Sequence, residues 1–114
     1  MKQTVVPGRN LILLSIAAGY AEGIGAGYVA YAAHSEDHYL YPDCRPEFVM
    51  AAVRVIGYGT DGGVELLAPF LTHTKTDIIK IGAKLNVPFR LTWSCYVGGD
   101  AHCGRCGTLS LIHI

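Results

Sequence analysis

From Leu11 to Ala21 the chain is apolar almost without interruption, broken only by Ser15 and Gly19 and ending at Glu22. Leu11, Leu14, Ala17, Ala18 and Ala21 recur at helical spacing, while Ile12, Leu13 and Ile16 fill the other faces. A helix apolar on all sides is one that is covered on several sides. With 114 residues there is room for one domain and no second core. Only 16% of the residues are charged, below the roughly 25% usual in soluble chains, so the sequence reads as an interior cut from something larger. The apolar stretch is shorter than the roughly 20 residues a bilayer span needs, so no transmembrane helix is expected. No small-residue cleavage site follows it, which argues against a secretory signal and makes the cytoplasm the expected compartment.

Proline and glycine punctuate the rest. Pro7-Gly8-Arg9-Asn10 is a turn, and Asn10 is the expected cap of a helix from Leu11 to Gly23, ended by Gly23, Gly25 and Gly27. Tyr28 to Ala33 is a continuous apolar run, the pattern of a strand buried on both faces of a parallel sheet. Pro46 suits the first turn of a second helix, with Phe48, Val49, Ala52, Val53 and Ile56 on its apolar face and Gly57 and Gly59 as its stop. Val64 to Ala68 reads as a second strand. Thr74 and Asp77 stand in capping-box spacing at the start of a third helix, bounded by Pro88, with Ile78, Ile79 and Leu85 facing inward. Helix, strand, helix, strand, helix implies an α/β fold with crossovers in a mainly parallel sheet. Ligands in such folds sit beyond the carboxyl ends of the strands, which puts the loops His34 to Arg45 and Pro69 to Lys75 on one rim.

Several residues are suited to chemistry. Two prolines hold Asp43 and Arg45 at a helix entry, where the carboxylate suits an amidine-like heterocycle edge and the guanidinium suits a carboxylate or phosphate. A local Asp43–Arg45 pair that merely caps the helix explains the same residues equally well. Arg9 and Lys75 stand at helix starts, where free amides already attract anions, and together sketch a phosphate site; either alone is an ordinary surface charge. His34 and His38 lie in a loop with no helix to aim them at one metal, so hydrogen-bonded histidines are the simpler reading. Lone Cys44 reads as a small buried filler. Cys95, Cys103 and Cys106 offer three thiolates in an unpatterned loop, short of the four ligands of a structural zinc. Cys103-Gly104-Arg105-Cys106 also fits a redox pair. Nine basic residues balance nine acidic ones, so there is no bulk charge for nucleic-acid binding.

Val6-Pro7-Gly8-Arg9-Asn10, His34-Ser35-Glu36-Asp37-His38, Tyr41-Pro42-Asp43-Cys44-Arg45-Pro46-Glu47-Phe48, Thr74-Lys75-Thr76-Asp77-Ile78, Leu91-Thr92-Trp93-Ser94-Cys95-Tyr96 and Cys103-Gly104-Arg105-Cys106-Gly107-Thr108 resemble, in order, the QueC/ExsB family of 7-cyano-7-deazaguanine synthases. The resemblance covers Thr4 to Thr108. It implies a Rossmann-like, adenine-nucleotide α-hydrolase-like (HUP) fold and ATP-driven conversion of 7-carboxy-7-deazaguanine and ammonia to the nitrile in queuosine biosynthesis. It also implies a zinc held by four cysteines in a C-terminal loop, of which Cys95, Cys103 and Cys106 match and Leu109 replaces the fourth. Asp43, Arg45 and His34 are then expected at the deazaguanine, and Arg9, Asn10, Lys75 and Asp77 at the nucleotide. The family's Ser-Gly-Gly-x-Asp-Ser phosphate loop has no counterpart here, so residues 1–108 are expected to be a C-terminal portion, inactive alone and prone to self-association through exposed apolar faces. Leu109 to Ile114 match the translation of a transposon-end adapter and are expected to be a non-native tail. A non-catalytic zinc module and an ATP pyrophosphatase with another substrate are the competing readings.

Overall fold

The structure, a computed structural model, describes residues 6–38 and 41–93. It divides into two compact units, Val6–Thr72 and the segment from His73 onward.

The first unit contains α1 (Arg9–Ile24), β1 (Tyr28–Ala30), α2 (Pro46–Gly59) and β2 (Glu65–Leu67). The strands pair in parallel, Tyr28 opposite Glu65, Val29 opposite Leu66 and Ala30 opposite Leu67. This bears out the expected α/β character and parallel pairing, with α2 lying between the strands in sequence. Helix α1 packs on β1 and α2 on β2. Leu14, Ala18 and Ala21 from α1, Ala52 and Ile56 from α2, and Val64 and Leu66 beside or in β2 form the core, with Val29, Tyr31 and Phe48 packed against it. All the buried hydrophobic residues among those described lie in this unit.

Helix ends follow local chemistry. Gly25 adopts a left-handed conformation at φ 74°, and Ala26 N–H returns to the Ala21 carbonyl at 2.8 Å, so Gly25 terminates α1 rather than Gly23 or Gly27. The start is also displaced: Gly8, at φ 67°, is the cap and α1 begins at Arg9, so Asn10 lies inside the helix. Glu22 then accepts the Asp61 amide at 2.7 Å, tying the end of α1 to the turn after α2. Both strands are shorter than their apolar runs, and Tyr28 is 63% exposed. Only one sheet face, carrying Val29 and Leu66, is packed; the expectation of burial on both faces fails because the described chain supplies cover for one.

The second unit is described on its own terms. Helix α3 (Lys75–Lys84) starts with the expected capping box: Asp77 N–H donates to the Thr74 hydroxyl at 3.1 Å and Thr74 N–H to the Asp77 carboxylate at 3.0 Å. It ends in a left-handed Asn86, φ 58°, with Val87 N–H bonded to the Gly82 carbonyl. Leu85 sits past the last helical turn and is 71% exposed, which corrects its placement on the inward face. The cysteines at 95, 103 and 106, and the tail from Leu109 to Ile114, lie outside the described residues. No helix among those described is long and apolar enough to cross a membrane.

The split of α1 between buried and exposed apolar residues is measurable. Leu14→Ala should cost about 2–5 kcal/mol by urea unfolding, while Ile16→Ala should stay within about 0.5 kcal/mol. Equal losses at the two positions would contradict the packing described.

Candidate functional site

The loop that follows β1 folds back onto the start of α1. Pro42 fixes the entry of a 3-10 turn, Pro42–Cys44, in which Cys44 N–H bonds to the Tyr41 carbonyl at 3.0 Å. The turn aims Asp43 at α1. Its Oδ2 accepts the Asn10 amide at 2.8 Å and lies 3.4 Å from the Leu11 amide nitrogen. Those are the amides an N-cap side chain normally serves, and α1 has neither a capping side chain of its own nor an acidic residue in its first turn. Asp43 therefore caps a helix that began 34 residues earlier in the chain, Arg9 being its first residue, and brings negative charge to the positive end of that helix's dipole.

The neighbouring side chains reinforce this junction. Asn10 Nδ2 donates to the buried Cys44 Sγ at 3.3 Å. The Tyr31 hydroxyl, just past β1, donates to the Asp43 carbonyl at 3.3 Å. Burial, followed by the nearby Cys44 and Asp43, pushes the Tyr31 phenol up to about 12. Arg45 caps α2 through its carbonyl, which accepts the Val49 amide at 3.0 Å, while its Nε donates to the His38 carbonyl at 2.6 Å. The two charges thus go to different partners, and the local Asp43–Arg45 pair is not formed.

Each remaining sequence-chosen residue has a definite place. Half-buried His34 begins the short 3-10 turn Ser35–Asp37 on the β1 rim. Exposed Arg9 is the first residue of α1 and half-buried Lys75 the first of α3. Arg9 belongs to one unit, Lys75 and Asp77 to the other. Asn10, expected as a cap, lies inside α1 instead, with its amide on Asp43 and its side chain on Cys44. The Asp77 carboxylate is held below its usual range by the Thr74 amide, then by the Thr74 hydroxyl, with smaller help from His73 and Lys80. Its stabilising contribution is present above the ordinary aspartate pKa and fades as pH falls through the lowered value. Tyr31 and the His38 carbonyl were not anticipated. Tyr31 belongs to an apolar run that offers no polar signal, and a backbone acceptor has no sequence signature. Among the described residues no group of three or more histidine, cysteine or acidic side chains is placed to hold a metal.

Removing the long-range cap should weaken the first unit: Asp43→Ala is expected to cost about 0.5–2 kcal/mol by urea unfolding, with Asp43→Asn losing less. No loss in Asp43→Ala would show that the contact carries no stability. For Tyr31 the raised pKa stabilises the fold below pH 10, and that contribution is lost as pH rises through about 12. Absorbance titration should show a late-ionising tyrosine phase that Tyr31→Phe abolishes. Persistence of the late phase in the variant would contradict the assignment.

Residues 1–111 match the family described as queuosine biosynthesis protein QueC. The chain is similar to the 7-cyano-7-deazaguanine synthase of Archaeoglobus fulgidus, 57% identical over 110 residues, covering 94% of this chain and 45% of that protein. The synthase of that name from Desulfotalea psychrophila is 54% identical over 106 residues, covering 93% of this chain and 48% of the relative. That from Brucella ovis is 54% identical over 110 residues, covering 95% and 47%. The chain spans about half the length of the curated relatives it matches.

Proposed function

Because the chain belongs to the QueC family, we propose that it forms part of an enzyme converting 7-carboxy-7-deazaguanine and ammonia to 7-cyano-7-deazaguanine. The match over residues 1–111 carries this reading. ATP supplies the activation such chemistry needs, turning carboxylate oxygen into a good leaving group for ammonia and then allowing the amide to lose water. The enclosing fold is the adenine-nucleotide α-hydrolase-like one.

Within that reaction the described residues divide into contacts and supports. Arg45 is held by its Nε, which leaves the terminal guanidinium nitrogens to meet the substrate carboxylate. His34 lies on the same rim loop and offers a polar contact to the heterocycle. Asp43 acts as a positioning residue, since its carboxylate is committed to α1. Arg9 brings a cation to the start of α1, where the second and third amides are taken by Asp43, and Lys75, in the other unit, brings one to the start of α3; each is suited on its own to an anionic ligand through its side chain. Asn10 and Asp77, each within its own unit, support these positions by fixing the start of α1 and of α3. Cys95, Cys103 and Cys106 would hold zinc as thiolates, a donor set that ion favours. Zinc held there would have a structural role.

A chimera tests the proposal. Residues 1–108 are placed in the full-length Archaeoglobus fulgidus relative in place of its matching segment, and nitrile formation is followed by mass spectrometry. The chimera should make the nitrile from carboxydeazaguanine, ammonia and ATP, and Arg45→Lys should lower kcat/KM by about tenfold or more through loss of bidentate geometry. A folded chimera that makes no nitrile would overturn the reading.

A further inference from the structure

His38 carries two polar groups that are treated differently. Its carbonyl accepts the Arg45 Nε at 2.6 Å and so holds the guanidinium against the loop. Its imidazole Nε2 is buried and has no hydrogen-bond partner among the described residues. A buried donor or acceptor left unpaired costs stability, and nearly all such groups in folded proteins have a partner. An apolar ring of similar size would occupy the same space without that cost. Packing alone therefore gives no reason for the nitrogen.

The surroundings indicate what it would meet. Half-buried His38 closes the short turn Ser35–Asp37, in the loop between β1 and α2. That loop leaves the carboxyl end of a parallel strand, where ligands of such sheets bind. Arg45 spends its Nε on the loop and keeps its terminal nitrogens for an anion. The carbonyl that holds Arg45 and the unpartnered nitrogen belong to one residue, so covalent geometry keeps Nε2 and the guanidinium within the span of one purine-sized ligand. A carboxylate accepts several hydrogen bonds on its two oxygens and can take a guanidinium and an imidazole N–H together.

We propose that His38 is a specificity-determining contact: its Nε2 donates to the substrate carboxylate that Arg45 holds, and distinguishes that carboxylate from the nitrile that replaces it. This rests on the reaction proposed above and adds the residue that reads the group being converted. A carboxylate is a charged acceptor with two oxygens, whereas a nitrile is neutral with a single nitrogen, so the bond is stronger to substrate than to product. The buried nitrogen is then satisfied while the carboxylate is bound, which favours substrate over product in the same site.

Binding to the chimera described above tests this. His38→Phe and His38→Gln are made in it, and affinities for 7-carboxy-7-deazaguanine and for the 7-cyano compound are measured by titration calorimetry, with the thermal midpoint of the unliganded protein alongside. His38→Phe should weaken the carboxylate compound about tenfold or more and leave the nitrile within about twofold. Its unliganded midpoint should be unchanged or raised, because the unpaired nitrogen is gone. His38→Gln, whose amide nitrogen can stand near the Nε2 position, should recover part of the lost affinity. Equal weakening of both ligands would overturn the proposal, as would a glutamine variant no better than phenylalanine. Carboxylate affinity kept in His38→Phe with a lowered midpoint would also overturn it, assigning the nitrogen a structural partner. A folded parent chimera that makes no nitrile overturns the proposed reaction instead, so the two failures are distinguishable.

Discussion

A single carboxylate joins the rim loop to the helix behind it. Without Asp43, α1 would begin with two amides lacking acceptors and a dipole facing no opposing charge. With it, the loop after β1 is pinned to the start of α1, and Cys44 is brought within reach of Asn10. Tyr31 closes the junction from the strand side. Cys44 and Val49 are buried immediately after, so the entry to α2 is set by the same turn. Held this way, Arg45 emerges on the rim with its Nε already engaged.

Such an arrangement places a polar network at the edge of a modest core. Leu14, Ala18, Ala21, Ala52, Ile56, Val64 and Leu66 fill the space between two helices and one sheet face, and small residues predominate where the helices meet the sheet. A core of this size orders the layer but leaves apolar surface on α1 and on the far side of the sheet. The low charge content of the chain has its structural counterpart there: residues suited to an interior stand at a surface. Loop positions on the rim are fixed instead by backbone and capping bonds.

Local chemistry was readable in the sequence, and distant partners were not. Pro46, the Thr74 and Asp77 pair, and the clustered glycines each act within a few residues, so the order of elements and the α3 capping box could be anticipated. Asn10 was misplaced as a cap because Gly8 takes the left-handed conformation and starts α1 earlier. The destination of Asp43 was hidden because its partner lies 33 residues away, and neighbouring Arg45 offered a nearer and simpler one. The run from Tyr28 to Ala33 has the pattern of a strand covered on both faces, while the described chain covers only one of them. The family resemblance drew on long motifs and agreed with the comparisons, while the roles of individual residues depended on geometry that spacing alone does not contain.

The most direct measurement is residue-resolved amide hydrogen exchange across α1 in the chain and in Asp43→Ala. If Asp43 is the cap, the Asn10 and Leu11 amides should exchange slowly in the parent and much faster in the variant, while amides from Ala17 to Ala21 keep their protection. Unchanged exchange at Asn10 and Leu11 in the variant would contradict the claim that this carboxylate holds the rim to the helix.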